Sequence, residues 1–476
     1  MLEANLKELW SEVDARRARY VELSDRIWSY AELAYAEHRS AADIEVVLRA
    51  EGFRVESGIA GIPTALVGEA GRGGTVIAIL GEYDALPGLS QEAGLAQYRP
   101  VPGECNGHGC GHNLLGSGAL LAASALKAWL EHTGTPGRVR FYGCPAEEGG
   151  AAKGFMVRSG AFADVDVAIS WHPGPWTGVW EAKSLANTRI DFSFKGRAAH
   201  AASAPHLGRS ALDAVELMNV GVNYMREHMA SDARIHYAYL DAGGIAPNVV
   251  QAQAKVRYLI RAADLTQLNH LVGRVRKIAE GAALMTETAV EARVVSAASN
   301  LLGNTPLEAA MHEVMSHLGG AYFDAQDYAD AERFRASVTD QDVEQSWKRF
   351  GMPMQHGKVL ADMIVPLEAT SSMQGSTDVG DVSWVVPTVQ ARGATCILGT
   401  PGHSWQLTAQ GKLPMAHKGM VNAAKVMAGT ALQVLADPEL LARAKADHAA
   451  RTRKTPYVCP IPEGVQPPLH MSMQGA

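Results

Sequence analysis

The hydrophobic pattern of this chain changes period along its length. Residues 6–29 carry apolar side chains at helical spacing. Residues 75–80 (TVIAIL), 139–143 (VRFYG), 165–170 (VDVAIS) and, far downstream, 394–399 (ATCILG) are short apolar runs. Such runs mark strands buried on both faces. The proline-free, Ala/Leu-rich stretch 112–133 predicts a long helix. Buried strands alternating with helices predict an α/β, mostly parallel sheet covered on both sides. The middle of the chain reads differently. Strands are predicted at 190–194, 234–240, 249–260 and 288–295, and helices at 210–228 and 265–285. The order β-α-β-β-α-β is the ferredoxin-like pattern. It predicts a smaller α+β domain, 187–298, inserted into a larger one made of 1–186 and 299–476. Residues 320–360 are charged and weakly periodic and predict a surface excursion. The tail 460–476 is proline-rich and predicts extended chain.

Composition narrows the class. A length of 476 residues suits two domains, and 47% hydrophobic with 20% charged residues is an ordinary globular balance. The net charge of -7 and the lack of a long basic run argue against a nucleic-acid partner. No apolar stretch is long enough to span a bilayer, and the charged N-terminal segment has no signal-peptide core. Five cysteines are too few and too odd a set for a disulfide framework. A reducing, cytoplasmic setting is the expectation.

The chemistry collects at strand ends. Asp84 follows the first apolar run, Glu147 and Glu148 the second, His172 the third and His403 the fourth. In open α/β sheets ligands bind beyond the carboxyl ends of the strands. The motif HGCGHN adds Cys110 and His112, with a glycine on each side of the cysteine. Cys110, His112, Glu148, His172 and His403 form five candidate metal ligands, more than one catalytic zinc ion takes. Sharing a bridging ligand would suit two divalent ions. Glu147, beside a ligand, is then the candidate general base.

GEYDALP, HGCGHN, PAEEGGAA, WHPG, GRAAHAASAPHLGRSAL, APNVV, GSTDVGDVSW and a late GHS occur in that order across almost the whole chain. In these motifs the sequence resembles the M20 metallopeptidase family, in its aminoacylase and amidohydrolase branch. The resemblance implies hydrolysis of the amide of a small N-acyl or N-aroyl amino acid, p-aminobenzoyl-glutamate first. An acyl-aspartate, an indole-acetyl amino acid or a dipeptide is the alternative. It implies two divalent ions, Zn²⁺ or Mn²⁺ before Ni²⁺ or Co²⁺, on the same five ligands. It implies Asp84 as a carboxylate holding a ligand from behind, His200 as the oxyanion-stabilising group and Asn248 as a substrate contact. It also implies a homodimer through the inserted domain or, as a further option, a heteromeric second subunit. Many members carry a His-x-Asp ligand motif where this chain has Glu82-Tyr83-Asp84, so that histidine is missing here.

Several residues keep two readings. Asp378 orders the site's rim or caps a turn. Arg257 and Arg261 clamp a substrate carboxylate or form ordinary ion pairs. His108 stands behind the ligands or merely near them, with a sixth ligand as the other reading. Cys144 and Cys396 read as core, and His38, His228, His270 and His448 as solvated surface. Two rival classes are a non-catalytic binding paralogue, expected to lack ligands that this chain retains, and a cysteine hydrolase built on Cys110, which leaves Glu148, His172 and His403 unexplained.

Overall fold

A computed structural model describes residues 2–369 and 375–472. The N-terminal helix, Leu2–Tyr30, buries Leu6, Leu9, Val13, Tyr20, Leu23 and Ile27, a stripe at spacings of three, four and seven. That stripe packs on the His112–Thr133 and Pro414–Ala436 helices. Each large apolar side chain it removes from water contributes about 1.5–3 kcal/mol.

The larger sheet has seven strands in the order Arg54–Ser57, Leu66–Arg72, Gly137–Cys144, Val76–Glu82, Val167–Gly174, Thr388–Ala394, Gly178–Val179. The four strands from Gly137–Cys144 to Thr388–Ala394 run parallel, and the flanking pairs are antiparallel. Parallel pairing aligns their carboxyl ends on one rim, where the polar motifs follow. The second sheet has four strands, ordered Ala289–Ala298, Ala186–Lys195, Gln253–Ala262, Arg234–Asp241, all antiparallel. Burial alternates residue by residue along Gln253–Ala262, as in a sheet with one covered face. Helices Ala211–Met225 and Leu265–Thr286 share its apolar core. Ser210 and Asp264 start these helices by accepting from Asp213 N–H and Gln267 N–H.

Two expectations need correction. Residues 395–399 of ATCILG are not in a strand, although Cys396, Ile397 and Leu398 are buried. The strand is the preceding Thr388–Ala394, which is buried throughout despite containing Gln390 and Arg392. Residues 320–360 are not a mere surface excursion. They hold helices Ala325–Arg335 and Asp340–Lys348, whose Phe334, Val343 and Trp347 form a core with Trp176, Ile397 and Leu398. The charged residues there are used locally. Asp324 and Thr339 close capping boxes, and Lys418 pairs with Asp324 and Asp327. No helix among the described residues is long and apolar enough to cross a membrane. The last four residues of the proline-rich tail, 473–476, lie outside the described residues.

Candidate metal centre and active site

The loop that carries Cys110 is shaped by its glycines. Gly111 has φ +77° and begins the His112–Thr133 helix. A Cβ on Gly109 would lie 2.3 Å from Leu89 Cδ1 and 3.5 Å from His403 Cα. Glycine there lets the loop bearing His403 lie alongside, and His403 N–H donates to Gly109 O at 2.9 Å.

Ligand atoms from these segments fall into three overlapping groups, each within 4.8 Å: Cys110, His112 and His172; Cys110, Glu148 and His403; Glu82, His112 and Glu147. The chain therefore brings together all five expected ligands and Glu147. His172 Nδ1 lies 2.8 Å from Pro173 O, so it donates there and leaves Nε2 as a lone-pair donor, 3.5 Å from Cys110 Sγ. Asp84 stands behind two of the five. One oxygen is 2.9 Å from His112 Nδ1, and the other accepts from Glu148 N–H at 2.8 Å. His112 Nε2 and Glu148 Oε1 are buried with no hydrogen-bond partner among the described residues. An unsatisfied buried polar atom costs about 1–3 kcal/mol. A thiol, imidazoles and a carboxylate converging with buried atoms that lack a hydrogen bond fit divalent metal ions.

Charge is unevenly distributed in this centre. Burial opposes ionisation of Glu148, but His403 and His112 outweigh it and hold the carboxyl down at about 2. Burial drives Glu147 the other way, well above the carboxylate range, and Glu82, Glu148 and Asp378 reinforce it. Burial and His112 push His172 down to about 4, so it is a neutral imidazole. Burial also pushes the Cys110 thiol up, the opposite of an activated cysteine nucleophile.

A cavity of about 690 Å³ opens over this centre, within the ~300–1,000 Å³ usual for small-molecule sites. Glu147, His172 and Asp378 line it, with Arg189 and Arg261 from the four-stranded sheet and Phe350 from the helical segment. His200 and Asn248 are exposed and do not line it within one chain. Asp378 precedes the Val379–Val385 helix without capping it; its carboxylate accepts from Lys153 N–H and pairs with Lys153 Nζ at 2.6 Å. Arg257 takes the ion-pair reading, holding Asp191 at 2.6 Å and 3.0 Å. His108 is buried against Ile27 O at 3.0 Å. Cys144 and Cys396 are buried. His448 is half-buried on Ser383 O rather than solvated.

Residues 78–428 match the family described as Peptidase family M20/M25/M40. The chain belongs to the M20 peptidase family. It is therefore a hydrolase by family. This M20 chain is 49% identical over 467 residues to one subunit of the p-aminobenzoyl-glutamate hydrolase of Escherichia coli, covering 96% of this chain and 97% of the relative. It is 32% identical over 256 residues to the other subunit of that hydrolase, covering 51% of this chain and 57% of the relative. In fold it resembles a dinuclear metal-binding M20 peptidase of Bacillus subtilis, with a TM-score of 0.57 at 17% identity over 89% of this chain and 99% of the other.

Four side chains around the M20 site were given no role from the sequence. Glu82, where many members carry the histidine ligand, lies with Oε2 3.4 Å from His112 Nε2 and pairs through Oε1 with Lys153 Nζ at 2.6 Å. Lys153 is fully buried, and Asp378 and Glu82 hold its ammonium charged against the burial. The missing histidine at position 82 was the available signal. Glu37, also buried, accepts from Ala146 N–H at 2.9 Å and so braces the turn before Glu147. Arg392 lines the cavity from inside a sheet strand, and no motif pointed to it.

Proposed function

We propose that this M20 enzyme hydrolyses the amide bond of a small N-aroyl or N-acyl amino acid, p-aminobenzoyl-glutamate first. Cys110, His112, Glu148, His172 and His403 would hold two divalent ions, Zn²⁺ or Mn²⁺ before Ni²⁺ or Co²⁺. The convergence of these five donors, with buried atoms left without a hydrogen bond, carries the reading. The ions would polarise the acyl carbonyl and lower the pKa of a water toward ~7. Glu147 takes the proton of the attacking water on its carboxylate and returns it to the leaving nitrogen. Asp84 fixes the His112 ring, and the Lys153 pairs hold Glu82 and Asp378 beside Glu147.

His200 serves as a hydrogen-bond donor to the developing oxyanion. Ala202 N–H and Ser203 N–H both donate to its Nδ1 at 3.2 Å, which puts the ring proton on Nε2, free to donate. In this reading 187–298 is a lid and dimerisation domain, and His200 and Asn248 serve the site of a second copy. The Arg234–Asp241 strand forms one edge of its sheet and exposes Tyr237, Tyr239 and Leu240, which supports edge-to-edge pairing. A heteromeric partner is the second reading, favoured because the two E. coli relatives are named as subunits of one hydrolase. A reducing cytoplasm suits the five free cysteines.

The test is metal content alongside release of p-aminobenzoate. Wild type is expected to hold about two equivalents of divalent metal per chain, and His172→Ala to lose metal and activity together. A metal-free wild type that cleaves the substrate at full rate contradicts the proposal.

A further inference from the structure

Arg392 is a buried cation with no ion-pair partner among the described residues. It is 8% exposed, and among the described residues its Nε has no hydrogen-bond partner. Aromatic rings surround the guanidinium instead, with its carbon 3.9 Å from the Trp180 ring centroid and 4.7 Å from that of Phe350. The charged groups that act on it are Arg349, which opposes its charge, and more weakly Glu181, which is paired with Lys183. A lone buried charge is costly unless something pairs with it. Rings can cover the faces of a guanidinium, but its in-plane N–H donors then remain to be used. Those donors match the two oxygens of a carboxylate.

Its position ties it to the reaction centre. Arg392 is paired in register with His172 across parallel strands, so the two side chains project on the same side of the sheet. The His172 ring lies 5.3 Å from the Trp180 ring, which in turn packs on Arg392. Both His172 and Arg392 line the one cavity. The sequence His172, Trp180, Arg392 thus leads from a ligand at the centre to a cation one aromatic ring away.

We infer that Arg392 is a specificity residue that binds a carboxylate of the leaving amino acid, so that the enzyme selects acidic amides over neutral ones. The inference rests on the amidohydrolase reading above for its kinetics, but not for its binding test. Two arms separate the carboxylates. Metal-loaded wild type, Arg392→Met and Arg392→Lys are compared on p-aminobenzoyl-glutamate, p-aminobenzoyl-glutamine and p-aminobenzoyl-isoglutamine. Wild type is expected to prefer the glutamate compound. Arg392→Met is expected to lose at least about tenfold of the discrimination against one of the amides. Loss against glutamine assigns the side-chain carboxylate, and loss against isoglutamine the α-carboxylate. Arg392→Lys is expected to fall between.

Independently, glutarate is titrated into the same three metal-loaded proteins, with tryptophan fluorescence as the readout because Trp180 adjoins the guanidinium. Saturable binding to wild type, weakened at least about tenfold in Arg392→Met, is the expected result. The melting temperature of unliganded Arg392→Met should be no lower than that of wild type, since the change removes an unpaired buried charge. If wild type cleaves none of the three amides, the proposed reaction fails while the glutarate titration still decides the role of Arg392. Unchanged discrimination in a folded Arg392→Met, equal glutarate affinity in wild type and Arg392→Met, or no saturable binding to wild type at millimolar glutarate would overturn the inference.

Discussion

Glu147 and Glu148 are chain neighbours held in opposite electrostatic states. Two histidines keep Glu148 ionised down to about 2, while burial among carboxylates favours a proton on Glu147. In the proposed reading, these adjacent residues at one strand mouth divide ligation from proton handling. Glu147→Gln is expected to lower kcat by about 10²–10⁴-fold while metal content, read by elemental analysis, stays at the wild-type level. Asp84 acts one layer further out. Asp84→Asn leaves a weaker partner for His112 Nδ1, and a loss of about 10–100-fold in metal affinity is expected in a competitive chelator titration. Unchanged affinity would remove Asp84 from the role. At this scale the centre was largely legible. Cys110, His112, Glu148 and His172 each stand in a short motif or beside a buried strand, where a polar residue is conspicuous. Lys153 and Glu37 were not legible, because single charged residues in helical or turn sequence look solvated until a fold buries them. His200 and Asn248 lie outside the cavity of one chain, where no spacing within a sequence could place them.

Elements were legible where apolarity and secondary structure coincide. Val76–Glu82 and Gly137–Cys144 are buried strands that read as such. The Thr388–Ala394 strand was hidden because Gln390 and Arg392 line the cavity from inside it. The apolar run that follows it packs against the helical segment instead of pairing in the sheet. That segment was hidden for the opposite reason. Its acids and bases are spent on caps and local pairs, so a few aromatic residues carry its core. Phe334 is fully buried there. Phe334→Ala is expected to cost about 3–5 kcal/mol if the cavity does not collapse. Because Arg349 and Phe350 of the same segment line the cavity, the substrate KM should rise as well. Denaturant melts and steady-state kinetics check the two effects. A loss of stability with unchanged KM would uncouple the segment from the site.

At the scale of the molecule, two sheets with separate cores place the arginines of the smaller sheet over the rim of the larger one. The long Pro414–Ala436 helix and the C-terminal residues close the larger unit, and Tyr457 O–H donates to the buried Asp381 at 2.9 Å. Burial raises the Asp381 carboxyl to about 6 from an ordinary 3.8. The folded state therefore holds a proton that the unfolded chain has already released between those values. The stabilisation from Asp381 is fully present below about 3.8 and is lost as pH rises through about 6. Asp381→Asn removes this term, whose size is on the order of 2–3 kcal/mol. Relative to wild type, the variant should gain stability between pH 4 and pH 7 by about that amount. A wild-type-minus-variant difference that is flat across this range would contradict the assignment.

The central claim is that five ligands and one buried glutamate make this chain a metal-dependent amidohydrolase. The most direct measurement is hydrolysis of p-aminobenzoyl-glutamate by one preparation as purified, after chelation to verified metal-free protein, and after return of Zn²⁺ or Mn²⁺. The account predicts activity that disappears with the metal and returns with it. Full activity in the metal-free protein would contradict it.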